Sequence, residues 1–130
     1  NDKMKNISLL FLFSTICFAP CYSEWTEVIK NEKAVIFINY SDLRKENNSV
    51  FWWATSNYQQ ETYLGALSFK VYRKGNCKSR MFMILSYSFH TKPMGKGKII
   101  KKSTRGSSWK YPAPESEIET QLKLVCNAAR

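Results

Sequence analysis

Two cysteines, Cys77 and Cys126, constrain the fold of this chain more than any other residues. They are the only cysteines expected in the mature protein, because Cys17 and Cys21 lie in a segment typical of a cleaved signal peptide. An even pair of cysteines in an oxidising compartment predicts a disulfide, and closing so long a loop would contribute about 4 kcal/mol to stability. Two free buried thiols or half of a metal site are the alternatives.

Residues 1–23 carry the features of a secretory signal peptide. Two lysines flank Met4, an uncharged apolar run occupies 7–18, and small residues follow it. A transmembrane anchor is the alternative, but about 20 apolar residues are needed to cross a bilayer and this run is much shorter. The sequence therefore predicts export, cleavage after Ser23, no transmembrane segment in the mature protein, and a single folded domain over 24–130.

The predicted domain is strongly basic. The full chain has 20 Lys and Arg against 10 Asp and Glu, and removal of the signal peptide leaves a formal charge of +9. Such a balance favours acidic partners. No Cys-x-x-Cys motif occurs and His90 is the only histidine, so the sequence predicts no zinc site.

Alternating residues of β-branched and aromatic type predict that the domain is mostly β-strand. The predicted strands are 25–29, 34–39, 50–56, 67–73 and 80–89. The first two form a hairpin, and the third is central because both of its faces are apolar. In the last strand, alternation places five apolar residues on one face. These are Met81, Met83, Leu85, Tyr87 and Phe89. One helical turn is predicted at 41–44, where Ser41 offers an N-cap, and a turn at 74–76.

One helix is predicted near the C-terminus. Ser116 and Glu119 form a capping box, and an apolar stripe recurs at helical spacing behind it. The stripe consists of Ile118, Leu122 and Val125. It would pack on a sheet face while Cys126 ties the helix beside the start of the last strand. The predicted fold class is α+β, mainly β: an antiparallel sheet of five or six strands with one C-terminal helix, tied by a disulfide.

A series of motifs runs in a set order along nearly all of the predicted domain. It consists of Trp25, Tyr40 before a Ser-x-Leu-Arg turn that ends at Arg44, Trp52 and Trp53, Gly75 and Cys77 before the long strand, Pro93-Met94-Gly95-Lys96-Gly97, Trp109, Pro114 with Ser116, and Cys126. This ordered set resembles the surface-adhesin protein E family of exported domains from Gram-negative bacteria. Three positions depart from the family pattern, which often has aspartate at Asn39 or Asn76 and glycine at Glu115.

The resemblance implies an exported, non-enzymatic domain with a sheet and one helix, located in the periplasm or at the cell surface. The best-known relatives are adhesins that bind the host proteins laminin, vitronectin and plasminogen. By resemblance, the expected partners are extracellular matrix or host plasma proteins. The basic charge adds acidic glycans to these expected partners.

Residues 92–110, which we call the basic segment, contain seven cations and no acidic residue. The cations are Lys92, Lys96, Lys98, Lys101, Lys102, Arg105 and Lys110. One interpretation is a solvated edge strand whose lysines discourage aggregation, and the other is a binding patch for an acidic partner. Trp109 is a candidate anchor of such a patch, although the sequence favours a core position for it. Gly95 and Gly97 are predicted to supply turn conformations, since no phosphate-binding motif follows them.

The sequence predicts no catalytic residues, metal site or cofactor. A catalytic triad would have to use His90, which has no carboxylate near it in sequence. Nucleic acid is not an expected partner, because export removes most opportunity for it and no known recognition motif occurs. Two functions remain: an exported, non-enzymatic binding module that acts as an adhesin, or a periplasmic structural or inhibitory domain without an adhesive role.

Overall fold

Consecutive strands pair with one another and form one antiparallel sheet in the order β1-β2-β3-β4-β5-β6. The computed structural model describes residues 24–129, so the predicted signal peptide, 1–23, lies outside the described residues. The strands are β1 Trp25–Lys30, β2 Ala34–Glu46, β3 Ser49–Tyr58, β4 Ser68–Asn76, β5 Met81–Lys92 and β6 Lys96–Ser103, and the helix α1 is Glu117–Ala128. The predicted fold class is confirmed, with six strands.

Strand β2 is longer than predicted, because 41–44 does not form a helical turn. The pairing of β2 with β3 shifts between Asn39 and Arg44, which marks a bulge. Asn39 Oδ1 accepts hydrogen bonds from the backbone N–H groups of Ser41 and Asp42, at 3.0 and 3.2 Å. This side-chain turn absorbs the extra residues, so the strand resumes at Arg44 and the predicted helical turn is wrong.

The predicted turn at 74–76 is also wrong, since β4 continues to Asn76. Gly75 is buried, and its missing side chain makes room for the helix. A Cβ there would clash with Leu122 Cδ1 and would lie 3.0 Å from Trp52 Cζ3. The chain turns only after Asn76, whose side-chain oxygen accepts hydrogen bonds from two backbone N–H groups at 2.9 Å each.

A bulge in β5 divides its apolar residues between the two faces of the sheet. The pairing with β4 skips Leu85. Phe82 belongs to the core, and Tyr87 packs against the same core although it lies five positions further along the strand, an odd offset that regular alternation would place on the opposite face. Only the extra residue at the bulge puts both on one face. The single alternation predicted for 81–89 is therefore wrong, and Met83 lies on the face opposite Tyr87.

The core lies between α1 and one face of the sheet. The predicted helical stripe is confirmed, since Leu122 and Val125 are buried and Ile118 is partly buried against the same cluster. Trp52 is fully buried there, whereas Trp53 points to the other face and is half-buried. Burial of each large apolar side chain contributes about 1.5–3 kcal/mol. The helix therefore supplies the second layer that a single sheet needs.

A polar contact is buried in the same interface. Gln121 Oε1 accepts hydrogen bonds from Trp52 Nε1 at 3.2 Å and from Arg73 Nη1 at 3.1 Å. Burial lowers the pKa of Arg73 to about 10, although the charge of Glu117 acts in the opposite direction. Arg73 Nε has no hydrogen-bond partner among the described residues. A buried cation thus lies beneath the helix and depends on one amide oxygen.

Both ends of α1 are fixed to the rest of the domain. Ser116 Oγ accepts a hydrogen bond from the Glu119 N–H at 3.2 Å, so the first half of the predicted capping box is confirmed. The Glu119 carboxylate accepts from the backbone N–H of Glu115 at 3.4 Å, one residue before the position that a capping box uses. At the other end the predicted disulfide joins Cys126 to Cys77, with 5.7 Å between the Cα atoms.

Loss of the disulfide should destabilise the domain strongly. We expect Cys126→Ala to lower the free energy of unfolding by about 2–5 kcal/mol, because the bond closes a long loop between distant parts of the chain. Denaturant unfolding of the exported protein measures this, and the Cys77→Ala/Cys126→Ala double variant controls for a lone free thiol. Two free thiols in exported protein, labelled under denaturing and non-reducing conditions, would contradict the prediction.

The buried contact of Gln121 with Trp52 and Arg73 leads to a second prediction about stability. We expect Gln121→Leu to cost about 2–4 kcal/mol, because it leaves donors of Trp52 and Arg73 buried without an acceptor. Arg73→Met removes the buried charge while Gln121 keeps Trp52 as a donor, so stability should change by less than about 1 kcal/mol or rise. Unfolding of both single variants and the double variant completes a mutant cycle. An equal cost for the two single variants would contradict this ranking.

Candidate binding surface

The basic segment lies along one edge of the sheet, as predicted for an edge strand. Among the described strands, β6 is last in the sheet and pairs only with β5. Its four lysines, together with the three cations that flank it, are all exposed. The four are Lys96, Lys98, Lys101 and Lys102, and the flanking cations are Lys92, Arg105 and Lys110. The predicted site residues are therefore accessible along one border of the domain.

The lysines of β6 do not form a single patch, because neighbouring residues of a strand point to opposite faces. Lys101 is paired with Phe89 and Lys102 with Ser88. Phe89 packs on Phe69, which contacts the core beneath α1. Lys101 therefore lies on the helix-bearing face, and Lys102 lies on the face that α1 does not cover, which we call the open face. The edge presents positive charge toward both sides of the sheet.

Hydrogen bonds fix the turn that begins the basic segment. Ser68 Oγ donates to the carbonyl oxygen of Lys92 at 2.6 Å and accepts from the N–H of Gly95 at 3.0 Å. Gly95 and Gly97 have φ of +68° and +77°, which confirms the predicted turn conformations. A Cβ on Gly97 would also clash with Thr91 Oγ1. The lysines of β6 therefore extend from a backbone whose course is fixed at its start.

Carboxylates of the described residues do not neutralise the basic segment. The ion pairs found within residues 24–129 are Arg44 with Glu46, at 3.8 Å, and Lys123 with Glu119, at 3.2 Å. Neither pair includes a cation of the basic segment. Its charge is therefore available to a partner molecule.

Trp109 is exposed, so the interpretation that favoured a core position is wrong. The neighbouring Lys110 makes a β-bridge with Phe82, in which both backbone groups of each residue are hydrogen-bonded at 2.8 and 2.9 Å. This bridge holds the chain beside β5 and leaves the indole at the surface, where it is 37% exposed. The ring lies 5.6 Å from Lys74 Nζ, so Trp109 stays among the candidate binding residues.

The open face carries a second basic surface, in which cations lie over aromatic rings. The guanidinium carbon of Arg44 is 4.3 Å from the ring centroid of Phe51, and Lys70 Nζ is 4.8 Å from that of Trp53. Trp53 in turn stacks on Tyr72, with 4.8 Å between the ring centroids. We call this set the cation–aromatic face. It consists of Arg44, Phe51, Trp53, Lys70, Tyr72, Lys74 and Trp109.

Sequence reasoning missed this face because its cations are not dense along the chain. The signal was present in β4, where Lys70, Tyr72 and Lys74 occupy every second position. The residues between them, Val71 and Arg73, are buried on the helix-bearing side. The alternation of residues in β4 therefore shows that these lysines share one face of the strand. Only the pairing of β4 with β3 shows which aromatic rings lie beside them.

A serine and a histidine also meet on the open face. Ser88 Oγ and His90 Nε2 are 2.7 Å apart, a separation that suits a nucleophile and its base. His90 Nδ1 is buried and has no partner among the described residues, so no carboxylate of this part of the chain orients the ring. Burial, and secondly the charge of Lys70, lower the pKa of His90. The pair lacks the third group that a catalytic triad requires.

The residues 24–129 lack two further features that would point to other functions, a metal-ligand cluster and a membrane-spanning helix. There, no group of three or more His, Cys, Asp or Glu side chains is placed to hold a metal ion. The described helix is not long and apolar enough to cross a membrane. What the described surfaces offer a partner is positive charge beside aromatic rings.

Comparison with known proteins identifies both family and fold. The profile of one family, surface-adhesin protein E, matches residues 25–127. Crystal form II of Haemophilus influenzae protein E has a similar structure, with a TM-score of 0.65 and 17% identity over 81% of this chain and 88% of that chain. Another structure of Haemophilus influenzae protein E gives a TM-score of 0.64 and 18% identity over 82% of this chain and 87% of that one. Curated protein sequences give no significant match.

The family profile and the structural neighbours both agree with the sheet and helix described above. The structural neighbours share the fold at low identity, and the family profile spans nearly all of the described residues. The chain therefore belongs to the surface-adhesin protein E family, and with this membership comes a non-enzymatic, adhesin-like role.

Proposed function

We propose that this protein is an exported adhesin that attaches to acidic molecules outside the cell through its basic segment. One observation carries the proposal: seven exposed cations lie in 92–110 without an acidic residue among them or an ion-pair partner in the described part of the chain. Single-sign clusters of this kind attract oppositely charged partners and speed their encounter. Removal of 1–23 as a signal peptide would deliver the domain to that setting.

Membership in an adhesin family supports a host or surface molecule as the partner. Laminin, vitronectin and plasminogen are candidates by family resemblance, and acidic glycans are candidates by charge. The edge position of β6 leaves the basic segment free to approach any of these. Binding to a polyanion must weaken with salt, because exposed charges are screened over about 8–10 Å near physiological ionic strength.

A periplasmic structural or inhibitory domain is the second candidate function. One observation favours it: an edge strand rich in lysine is a common protection against pairing between sheets. The same residues would then have no ligand. Location in the cell separates the two functions, because an adhesin must reach the outer surface.

Protease shaving of intact cells should therefore remove the protein. We expect trypsin to reach it, because the lysines of β6 are exposed in the folded domain. Immunoblots before and after treatment measure this, with a periplasmic marker as the control for intact cells. Protection that persists until the outer membrane is opened would favour the periplasmic function.

Neutralising the lysines of β6 should weaken binding without affecting the fold. The change is Lys96→Gln, Lys98→Gln, Lys101→Gln and Lys102→Gln. We expect the disulfide and thermal unfolding to be preserved, because none of these side chains is in the core. Binding to immobilised heparin or an acidic matrix protein should weaken about tenfold or more, chiefly through slower association. Surface plasmon resonance at several salt concentrations measures both rates.

A matched variant controls for net charge in that experiment. It changes four exposed lysines outside the basic segment to glutamine. These are Lys30, Lys33, Lys45 and Lys78. We expect this control to bind nearly as well as the unmodified protein. Equal binding by both variants, or binding that is indifferent to salt, would exclude the lysines of β6 as the site.

A further inference from the structure

We propose that the cation–aromatic face is a second binding site, and that its ligand is a linear sulfated polysaccharide. The site rests on the proposed function only in requiring that the protein meet polyanions outside the cell. Apart from Trp109, its residues lie outside the basic segment, on strands β2, β3 and β4. The two sites can therefore be tested separately.

Aromatic rings, rather than carboxylates, hold the cations of this face in place. Lys74 Nζ lies 5.4 Å from the ring centroid of Phe51 and 5.6 Å from that of Trp109, so it bridges two rings. Arg44 lies over Phe51 as well, and Phe51 is only 7% exposed. A cation over a ring is attracted by the quadrupole of the ring. The rings therefore position the cations.

Holding a cation in this way leaves its charge intact. A carboxylate would cancel the charge of a lysine and occupy its donors, whereas a neutral ring does neither. Within residues 24–129, neither Lys70 nor Lys74 has a carboxylate within ion-pair distance, and Arg44 has Glu46 only at 3.8 Å. The face therefore presents cations that are ordered but not neutralised. This is the preorganisation that favours binding of an anion.

The spacing of the cations suits a ligand with repeated negative charges. Lys70 and Lys74 are four residues apart on β4, which places their Cα atoms about 13 Å apart. Across the sheet, Lys70 pairs with Ser88, and Ser88 pairs with Lys102. Lys70 and Lys102 therefore lie in one row, with about 10 Å between their Cα atoms. A single small anion could not contact all three lysines, but a linear polyanion could. The row also connects this face to the basic segment.

The strands that carry the face favour a polysaccharide over an acidic peptide. Peptides that bind sheets usually add a strand to an edge and use its free backbone groups. Strands β3 and β4 are interior, and each is paired on both sides, so only side chains are available. Sulfate groups would contact the cations. The exposed indole of Trp109 offers a negative ring face to the C–H groups of a sugar.

The test is binding of a heparin-derived decasaccharide to the whole mature protein, measured by isothermal titration calorimetry at several salt concentrations. We expect Lys70→Gln/Lys74→Gln to raise the Kd about tenfold and to make its salt dependence shallower. The control, Lys30→Gln/Lys33→Gln, removes the same charge from exposed positions near the turn between β1 and β2. It should change the Kd less than about threefold. Thermal unfolding of each variant shows that the fold is retained.

A second pair of variants tests whether the rings position the cations. Trp53→Leu removes the ring beneath Lys70 and keeps every charge, so we expect the Kd to rise about threefold or more. Trp53→Phe keeps a ring there and should restore much of the affinity. A loss of affinity that is the same for leucine and phenylalanine would overturn the positioning role. This comparison does not depend on net charge.

The outcomes separate this inference from the proposed function. If only the β6 variant loses decasaccharide binding, the basic segment is the site and the cation–aromatic face is not. If Lys70→Gln/Lys74→Gln loses no more affinity than its control, net charge alone accounts for binding and the inference is wrong. If a glutamate-rich peptide binds as tightly and with the same dependence on Lys70 and Lys74, the proposed ligand class is wrong. Loss in the Lys70/Lys74 variant with the β6 variant unaffected would support this face and reject the basic segment.

Discussion

The close contact between Gly75 and the helix is the interaction on which the rest of this structure depends. A single sheet must bury one face against a second layer, and α1 is that layer. Because Gly75 has no side chain, Leu122 reaches the sheet beside Trp52 and closes the core. The disulfide then holds the end of the helix to the turn after β4. A side chain at position 75 would force the helix away from the sheet and expose the apolar interface between them.

With one α-helix among the described residues, the open face of the sheet and its β6 edge both need protection. Both are protected by positive charge, but in different ways. At the edge, the lysines of β6 are free in solvent, where they oppose pairing with another sheet. On the open face, cations lie over the rings and cover apolar surface. The positive charge that protects the edge and the open face is thus the same charge that the two proposed binding sites would use.

The three positions that the sequence resemblance marks as unusual have a physical explanation in the turns of this chain. Asn39 and Asn76 each use a side-chain oxygen to accept two backbone hydrogen bonds, a role that aspartate performs equally well. Glu115 has φ of +60°, a conformation that glycine adopts without strain. The first two departures preserve the turn, whereas the third introduces local strain just before the helix. All three leave the order of strands and helix unchanged.

Local signals in the sequence by themselves determined the cysteine pair, the capped helix with its apolar stripe and the strands, and these were enough to predict the fold class. The basic segment was equally visible, because its charges are consecutive along the chain. Tertiary structure alone decided the rest. The local sequence predicts a turn at Gly75. In the structure Gly75 lies in a strand, where the absence of a side chain makes room for Leu122 of the distant helix. Leu85 becomes a bulge through its register with β4, and Trp109 is exposed because a bridge at its neighbour holds the chain at the surface. Sequence periodicity shows which residues share a face within one strand or helix. The register of the strands, the face that the helix covers and the contacts between rings and cations depend instead on pairing between residues far apart in the chain.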